Sequence, residues 1–288
     1  MTFPKRVADC FQKREADSHK GTYGTLLTVC GSYGMAGAAV LCAKAAYRSG
    51  VGICACATPK SVYPIVASAV PEAVFLPLDT DENGLSLSNL ADIRRFQRRA
   101  SAMVIGCGVG TGENTVQAVH TLFQQATVPL VVDADGINAL SLHIPVRETE
   151  APLILTPHPA EMARLLACSV EEVQRDRDRA AVQAATKLHA IVVLKGHRTV
   201  IADEQGILWH NESGNAGMAT AGSGDVLAGI IGGLLAQGFS PHDAAICGVY
   251  LHGAAGDLMA ERLSQQSLMA SDLIDGLPPL FLQLEQQE

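Results

Sequence analysis

The chain has no long basic run, no C-x-x-C pair, no apolar signal core near its start and no window of 18 apolar residues. Each absence closes off a class of function. The nearest approach to a basic patch is Arg94-Arg95 with Arg98-Arg99, which reads as a solvated helix face. The formal net charge is −8. Nucleic acid is therefore not the expected partner. Met1 to Lys20 is polar and charged, so no secretion signal is read there, and no segment suits a bilayer span. With no sign of secretion, a reducing cytoplasm is the expected compartment. The eight cysteines, Cys10, Cys30, Cys42, Cys54, Cys56, Cys107, Cys168 and Cys247, then read as free thiols. Several lie inside apolar runs, where a thiol behaves as a small core residue.

Low-complexity linkers, internal repeats and composition breaks are also missing. At 288 residues, 48% hydrophobic and 17% charged, the expectation is one domain over 1–288 with a sizeable core. Apolar runs of strand length alternate with longer amphipathic stretches. The runs are Thr25–Cys30, Gly52–Ala57, Ala73–Leu78, Ala102–Ile105, Leu130–Asp133, Leu153–Thr156, Ala190–Leu194 and Thr199–Ala202. Helical patterns occupy Ala36–Arg48, Leu87–Arg99, Glu113–Gln125, Pro159–Leu166 and Val170–Leu188. After Trp209 come three apparent helices in succession, Gly224–Gln237, Pro241–Glu261 and Ala270–Leu284. Strands apolar on both faces, alternating with helices, imply a mostly parallel sheet covered on both sides. The expected fold class is a three-layer α/β/α domain with a helical C-terminal third.

In open parallel sheets, ligands bind beyond the carboxyl ends of the strands, so the loops there carry the chemistry. The common phosphate signatures fail. G-x-x-x-x-G-K-[ST] is absent, and after Gly106 and Gly108 a threonine, Thr111, stands where G-x-G-x-x-G needs its third glycine. H-E-x-x-H and G-x-S-x-G are absent too. What is present is a glycine-rich stretch, Gly214 to Gly229, that runs straight into an apolar helix. A helix N-terminus offers free N–H groups and a positive dipole end. Gly222 and Gly224 let a phosphate approach the backbone, and Ser223 adds a hydroxyl. Asp225 follows in the first turn, placed to act as a base or to serve as the N-cap of a tight turn. An anion hole beside a carboxylate is machinery for phosphoryl transfer to an alcohol.

Other strand-end residues have two readings each. His158, between Pro157 and Pro159, can hydrogen-bond a polar substrate or cap a turn. Glu161 can orient Mg2+ through water or favour its helix dipole. Lys195, at the end of a buried run, can neutralise phosphate or remain a solvated loop lysine. Asp133 and Asp135 can position a ligand or metal, or make a turn with Gly136. The remaining histidines, His252 among them, show no ligand spacing.

The stretch Asn215-x-Gly-Met-Ala-x-x-Gly-x-Gly-Asp-Val-Leu-x-Gly229 resembles the anion-hole signature of the ribokinase-like superfamily, and more narrowly that of its NAD(P)H-hydrate dehydratases. Lys20-Gly-x-x-Gly24 leading to Gly31-Ser-Tyr-Gly-Met-x-Gly-Ala-Ala39, then Gly106-x-Gly108, Asp133-Ala-Asp-Gly-x-Asn138 and Thr156-Pro-His-Pro-x-Glu161 follow the same family order. With Lys195-Gly196, the resemblance runs from Lys20 to about Asp257. It implies that Ala39, Gly108, His158 and Asp225 contact the hydrated nicotinamide nucleotide. It implies that Lys195, Gly196, His197, Arg198, Thr199 and Gly224 hold the adenine nucleotide, and that Gly222, Ser223 and Gly224 form the anion hole. Ala216 stands where many members have proline. Related vitamin kinases tend to read Thr-Pro-Asn-x-x-Glu where this chain has His158.

The implied reaction is dehydration of the S epimer of hydrated NADH or NADPH, with ADP as co-substrate, Mg2+ as cofactor and AMP and phosphate as products. ATP in place of ADP stays open. The runner-up is a kinase of a vitamin precursor, of the hydroxyethylthiazole type. A nucleotide-binding regulatory protein without turnover is a third reading, and Asp225 argues against it. Family members assemble as homo-oligomers, and the alanine-rich Ala36–Ala46 helix is a candidate contact. Too few residues precede Lys20 for a fused epimerase domain, so a separate NAD(P)H-hydrate epimerase is the expected functional partner.

Overall fold

The computed structural model describes residues 3–80 and 84–286. Among these residues, one sheet contains β1 (Thr25–Val29), β2 (Ile53–Pro59), β3 (Val74–Leu78), β4 (Ala102–Ile105), β5 (Leu130–Val132), β6 (Leu153–Leu155), β7 (Ile191–Leu194), β8 (Val200–Ala202) and β9 (Leu208–His210). Their spatial order is β3-β2-β1-β4-β5-β6-β7-β8-β9. The first seven run parallel, and β8 and β9 add an antiparallel margin. The expected mostly parallel α/β/α architecture is the observed one.

The helices are α1 (Lys5–Cys10), α2 (Ala36–Arg48), α3 (Tyr63–Ala69), α4 (Leu90–Gln97), α5 (Glu113–Gln125), α6 (Asp135–Leu142), α7 (Pro159–Leu166), α8 (Val170–Arg175), α9 (Arg177–Leu188), α10 (Ser223–Ala236), α11 (Pro241–Leu263) and α12 (Ala270–Gln286). The period-2 alternation of the strands divides the core in two. Leu26 points to the layer holding α2, α10, α11 and α12. Leu27 points to the layer holding α4, α5, α6, α7 and α9. The expected helix over Val170–Leu188 is two helices. Asp176 leaves helical backbone (φ −146°, ψ 81°) and accepts the Arg179 N–H, so a second N-cap interrupts the run. The short helices α1, α3 and α6 and the edge strand β9 were not expected. In α6 the Asp133–Gly136 turn feeds directly into a helix, after Ala134 at φ +48°.

Helix α10 is the axis of the site. Val226 to Ala236 are all buried. A methyl group on Gly232 would collide with Val104 of β4, so the helix lies flat on the sheet. Gly229 packs on the Cys42 carbonyl and Ala45 of α2. The small residues of α2 therefore pack within the chain: Cys42, Ala45 and Ala46 lie against α10, and Ala38 and Ala39 lie beneath the glycine loops. That removes the alanine stripe as a reason to expect a subunit contact.

Candidate active site

The strand order reverses between β1 and β4, and such a switch point opens a crevice at the carboxyl ends. The two glycine loops meet over it. The Gly31 N–H donates to the Cys107 carbonyl at 2.9 Å. Gly108 sits at φ +62°, and a side chain there would press on Met35 and Ala38. Asp135 fixes the second loop by accepting the Gly110 N–H at 2.9 Å. Beside them lies a cleft of about 230 Å³, lined by Ser32, Tyr33, Leu85, Val109, Gly110 and Thr115 among others. A larger cavity, about 1100 Å³, lies elsewhere against Phe11, Tyr47, Phe239 and Phe281, and holds none of the expected site residues.

Asp133, at the end of β5, is buried and acts as an anchor. Its Oδ1 accepts from Lys195 Nζ at 2.7 Å and from Thr156 Oγ1 at 2.6 Å. Lys195 also lies 3.8 Å from Glu161. Burial opposes the Lys195 charge, but the Asp133 and Glu161 carboxylates outweigh it and raise the pKa. The lysine is thus not a solvated loop residue; it joins three strand ends into one charged floor.

His158 and Glu161 form a reciprocal cap on α7. The His158 Nδ1 accepts from the Ala160 and Glu161 N–H groups, at 3.1 and 3.3 Å. Glu161 Oε2 accepts from the His158 N–H at 2.7 Å. The capping reading of His158 is therefore realised, and Glu161 stands in the first turn of α7 as its partner. His158 Nε2 lies 3.4 Å from Glu161 Oε1, on a half-exposed ring. Burial of the ring, with Lys195 and Arg164 nearby, lowers the His158 pKa and keeps it neutral. Burial raises the Glu161 pKa, with Lys195 opposing. Since its oxygens are engaged in the cap, Glu161 has a water-bridged contact to offer a metal rather than a direct ligand.

Gly222 starts α10 in left-handed backbone, φ +88°, which L side chains avoid. This turn aims the first N–H groups of a long apolar helix at the carboxyl ends of β4, β5 and β7. Gly224 sits against Lys195 Nζ and Asp133 Oδ2; an added Cβ would be 3.3 and 3.6 Å away. Asp225 makes no cap hydrogen bond, because Gly222 is the N-cap. Its carboxylate lies with those of Asp133 and the Cys107 thiol inside one 4.8 Å group. Burial, and then the Asp133 charge, push its pKa up to about 7, against the opposing hydrogen bond to Cys107 and the Lys195 charge. A partly exposed carboxyl that titrates near neutrality is suited to move a proton.

Lys195, Gly224 and Asp225 come together around Asp133 and Cys107, with His158 joined to Lys195 through Glu161, Gly108 directly following Cys107, and Gly222 and Ser223 leading into Gly224. Ala39 is placed differently: it is buried beneath the Gly31 turn, 1% exposed. Within the 195–199 loop, Gly196 and His197 are exposed, and Arg198 pairs with Glu212 at 2.6 Å. The Thr199 Oγ1 donates to the Gly196 carbonyl at 3.0 Å. Arg177 holds the loop base through the Leu194 and Lys195 carbonyls, at 2.9 and 3.3 Å.

His252 of α11 was not anticipated. Its Nε2 lies 2.9 Å from the Ser223 carbonyl and 3.2 Å from Ser223 Oγ. Burial drives its pKa down to about 4, so the ring is neutral and Nε2–H braces the start of α10. The one signal for it was an ionisable residue set among Leu251, Gly253, Ala254 and Ala255. No helix among the described residues is long and apolar enough to cross a membrane.

The family model described as NAD(P)H-hydrate dehydratase matches residues 26–279. An ADP-dependent (S)-NAD(P)H-hydrate dehydratase from Neisseria meningitidis is 46% identical over 260 residues, 89% of this chain and 84% of that protein. A bifunctional NAD(P)H-hydrate repair enzyme from Moorella thermoacetica is 44% identical over 277 residues. That match takes in 96% of this chain and 52% of the relative, so the chain spans about half of the bifunctional protein's length. The crystal structure of the ADP/ATP-dependent NAD(P)H-hydrate dehydratase from Bacillus subtilis, co-crystallized with ATP/Mg2+, superposes with a TM-score of 0.84 at 35% identity, over 96% of both chains.

Proposed function

The chain belongs to the NAD(P)H-hydrate dehydratase family, and we propose that it dehydrates the S epimer of hydrated NADH or NADPH at the expense of ADP, restoring the reduced nucleotide. The observation that carries the reading is Asp225: a carboxyl whose pKa is pushed up to about 7 in the first turn of α10, directly after the left-handed Gly222 N-cap.

Hydroxide is a poor leaving group, and phosphorylation converts it into a good one. Asp225 takes the proton of the substrate hydroxyl as that oxygen attacks the terminal phosphorus of ADP. The P–O bond to AMP breaks, and AMP leaves. The Gly222–Gly224 amides hold the developing charge. Phosphate then departs with the C–O electron pair, pushed by the ring nitrogen lone pair, and loss of a neighbouring proton restores NAD(P)H. His158, neutral and half-exposed, donates Nε2–H to the substrate in exchange for its contact with Glu161 Oε1. Lys195, Gly196 and the loop through Thr199 flank the adenine nucleotide. Mg2+, when bound, neutralises phosphate charge, and Glu161 is suited to hold it through water. Asp133 and His252 position rather than react: one fixes Lys195, the other Ser223.

The test is to incubate the purified protein with hydrated NADH, ADP and Mg2+, following return of the reduced-nicotinamide absorbance and release of AMP. Recovery of absorbance with stoichiometric AMP supports the reading. A stable phosphorylated product overturns it in favour of a kinase. With a mixed epimer pool, the chain acts on one epimer and depends on a separate epimerase for the rest. Full conversion faster than spontaneous epimerisation would refute that dependence.

A further inference from the structure

Three thiols from separate parts of the chain converge beside Asp225. Cys30 follows β1, Cys42 lies on α2, and Cys107 follows β4; their Sγ atoms all lie within 4.8 Å of one another. All are at most 1% exposed, and none is in a disulfide. Cys107 also belongs to the neighbouring group with Asp133 and Asp225. Thus one sulfur links a buried thiol triad to the carboxylate that faces the crevice.

Tetrahedral zinc binds sulfur at about 2.3 Å, which sets ligand sulfurs about 3.8 Å apart. The triad needs a contraction of about 1 Å at most to reach that spacing. Asp133 and Asp225 share a group with Cys107 and not with Cys30 or Cys42, so a fourth ligand must be drawn in past Cys107. Asp133 is already committed to Lys195 and Thr156. Asp225 has no ion pair among the described residues and is partly exposed, so it offers both a ligand oxygen and a route in from the crevice. Thiolates select soft ions, whereas Mg2+ demands oxygen. The triad therefore lies outside the chemistry of the phosphates' own cation.

We propose that Cys30, Cys42 and Cys107 form an inhibitory site for a thiophilic divalent cation of the zinc and cadmium class, and that the bound ion draws in the Asp225 carboxylate, which lies beside Cys107, as a further ligand. An ion held there occupies the Asp225 carboxylate and removes it as a proton acceptor. The site adds a control that the dehydratase chemistry does not require, and its metal binding is measurable whether or not that chemistry is assigned correctly.

The experiment is a Cd2+ titration of the purified, chelator-treated full chain, read by the thiolate-to-cadmium charge-transfer absorption and by metal content after desalting. The expected result is one tightly held Cd2+ per chain, with excess Mg2+ unable to displace it. Loss of even a supporting group near a metal costs about 10–100-fold in affinity, so Cys42→Ala weakens Cd2+ binding by at least about 100-fold. Cys30→Ala acts likewise, and thermal melts establish that each variant is folded. The Cys10→Ser, Cys168→Ser double variant retains the band. Where turnover is present, Cd2+ inhibits the parent at far lower concentration than it inhibits Cys42→Ala. Absence of the absorption in the parent, or its persistence in folded Cys42→Ala and Cys30→Ala, overturns the proposal. So does its loss in the Cys10, Cys168 variant.

Discussion

Replacing Asp225 by Asn separates a proton acceptor from a mere first-turn carboxylate, because the two predict opposite changes. Asn keeps the shape and loses the base, and removal of a general base costs about 10²–10⁴ in rate. Stability moves the other way. The carboxyl has an ordinary pKa of 3.8, pushed up to about 7 in the folded chain by burial and the Asp133 charge. From pH 3.8 upward the unfolded chain releases this proton first, and folding loses stability until pH about 7, beyond which the full deficit remains. At about 1.36 kcal/mol per unit, the gap bounds the deficit at about 4 kcal/mol. Water at the partly exposed carboxyl screens much of it. Loss of a favourable charge at the helix N-terminus takes back about 0.3–1 kcal/mol. A net gain of about 1–2 kcal/mol remains for Asp225→Asn at pH 8, or about 2–8 °C in Tm, shrinking toward zero near pH 4. ADP affinity is retained, since Lys195 and the Gly222–Gly224 amides are untouched. Turnover, calorimetric ADP binding and melting at several pH values decide the matter on one variant. Turnover within a few-fold of the parent refutes the base, and a lower Tm at pH 8 refutes the buried, uncompensated charge.

Asp133→Asn removes the carboxylate that helps raise the Asp225 pKa, so the acidic limb of the pH–rate profile shifts to lower pH; a limb left in place contradicts that coupling. Lys195→Met strands the buried Asp133 charge and destabilises the fold by about 3–5 kcal/mol, read by urea unfolding. Adding Asp133→Asn to it recovers much of the loss, and additive losses would argue against a direct pair. His158→Ala uncaps α7 at a cost of about 0.5–2 kcal/mol, whereas His158→Asn keeps a capping oxygen and its stability. If the exposed imidazole holds substrate, both variants raise KM for the hydrate, and an unchanged KM in His158→Asn reduces the residue to a cap.

The sheet was largely legible because its strands are apolar on both faces and the helices between them show amphipathic spacing or alanine-rich composition. Ala36–Arg48, Glu113–Gln125 and Pro159–Leu166 fall where the patterns place them. The misses are short or masked by a competing pattern. Asp176 is a cap inside one continuous periodicity, and α6 begins within a sequence that reads as turn chemistry. The last strand, β9, was not expected: it has only three residues and straddles Trp209, where the pattern changes, whereas β8 falls within the expected Thr199–Ala202. In the site, the glycine loops and Asp225 were legible, since a phosphate cradle is built from local backbone. The burial of Ala39 was not, because it depends on how the Gly31 turn folds back over α2.

The sequence by itself determined which segments become strands, which loops carry glycine at their carboxyl ends, and that a carboxylate follows a phosphate-sized turn. Those are local properties of spacing and backbone freedom. Tertiary structure decided what each charge meets. Lys195 and Asp133 are 62 residues apart, and His252 is 29 from Ser223. Nothing in either segment specifies its partner. Only when β5 and β7 enter one sheet and α10 lies across β4 does Asp225 lose water and gain the Asp133 charge, and only then does an ordinary aspartate titrate near pH 7. A pKa is a property of surroundings, and the surroundings are assembled by packing.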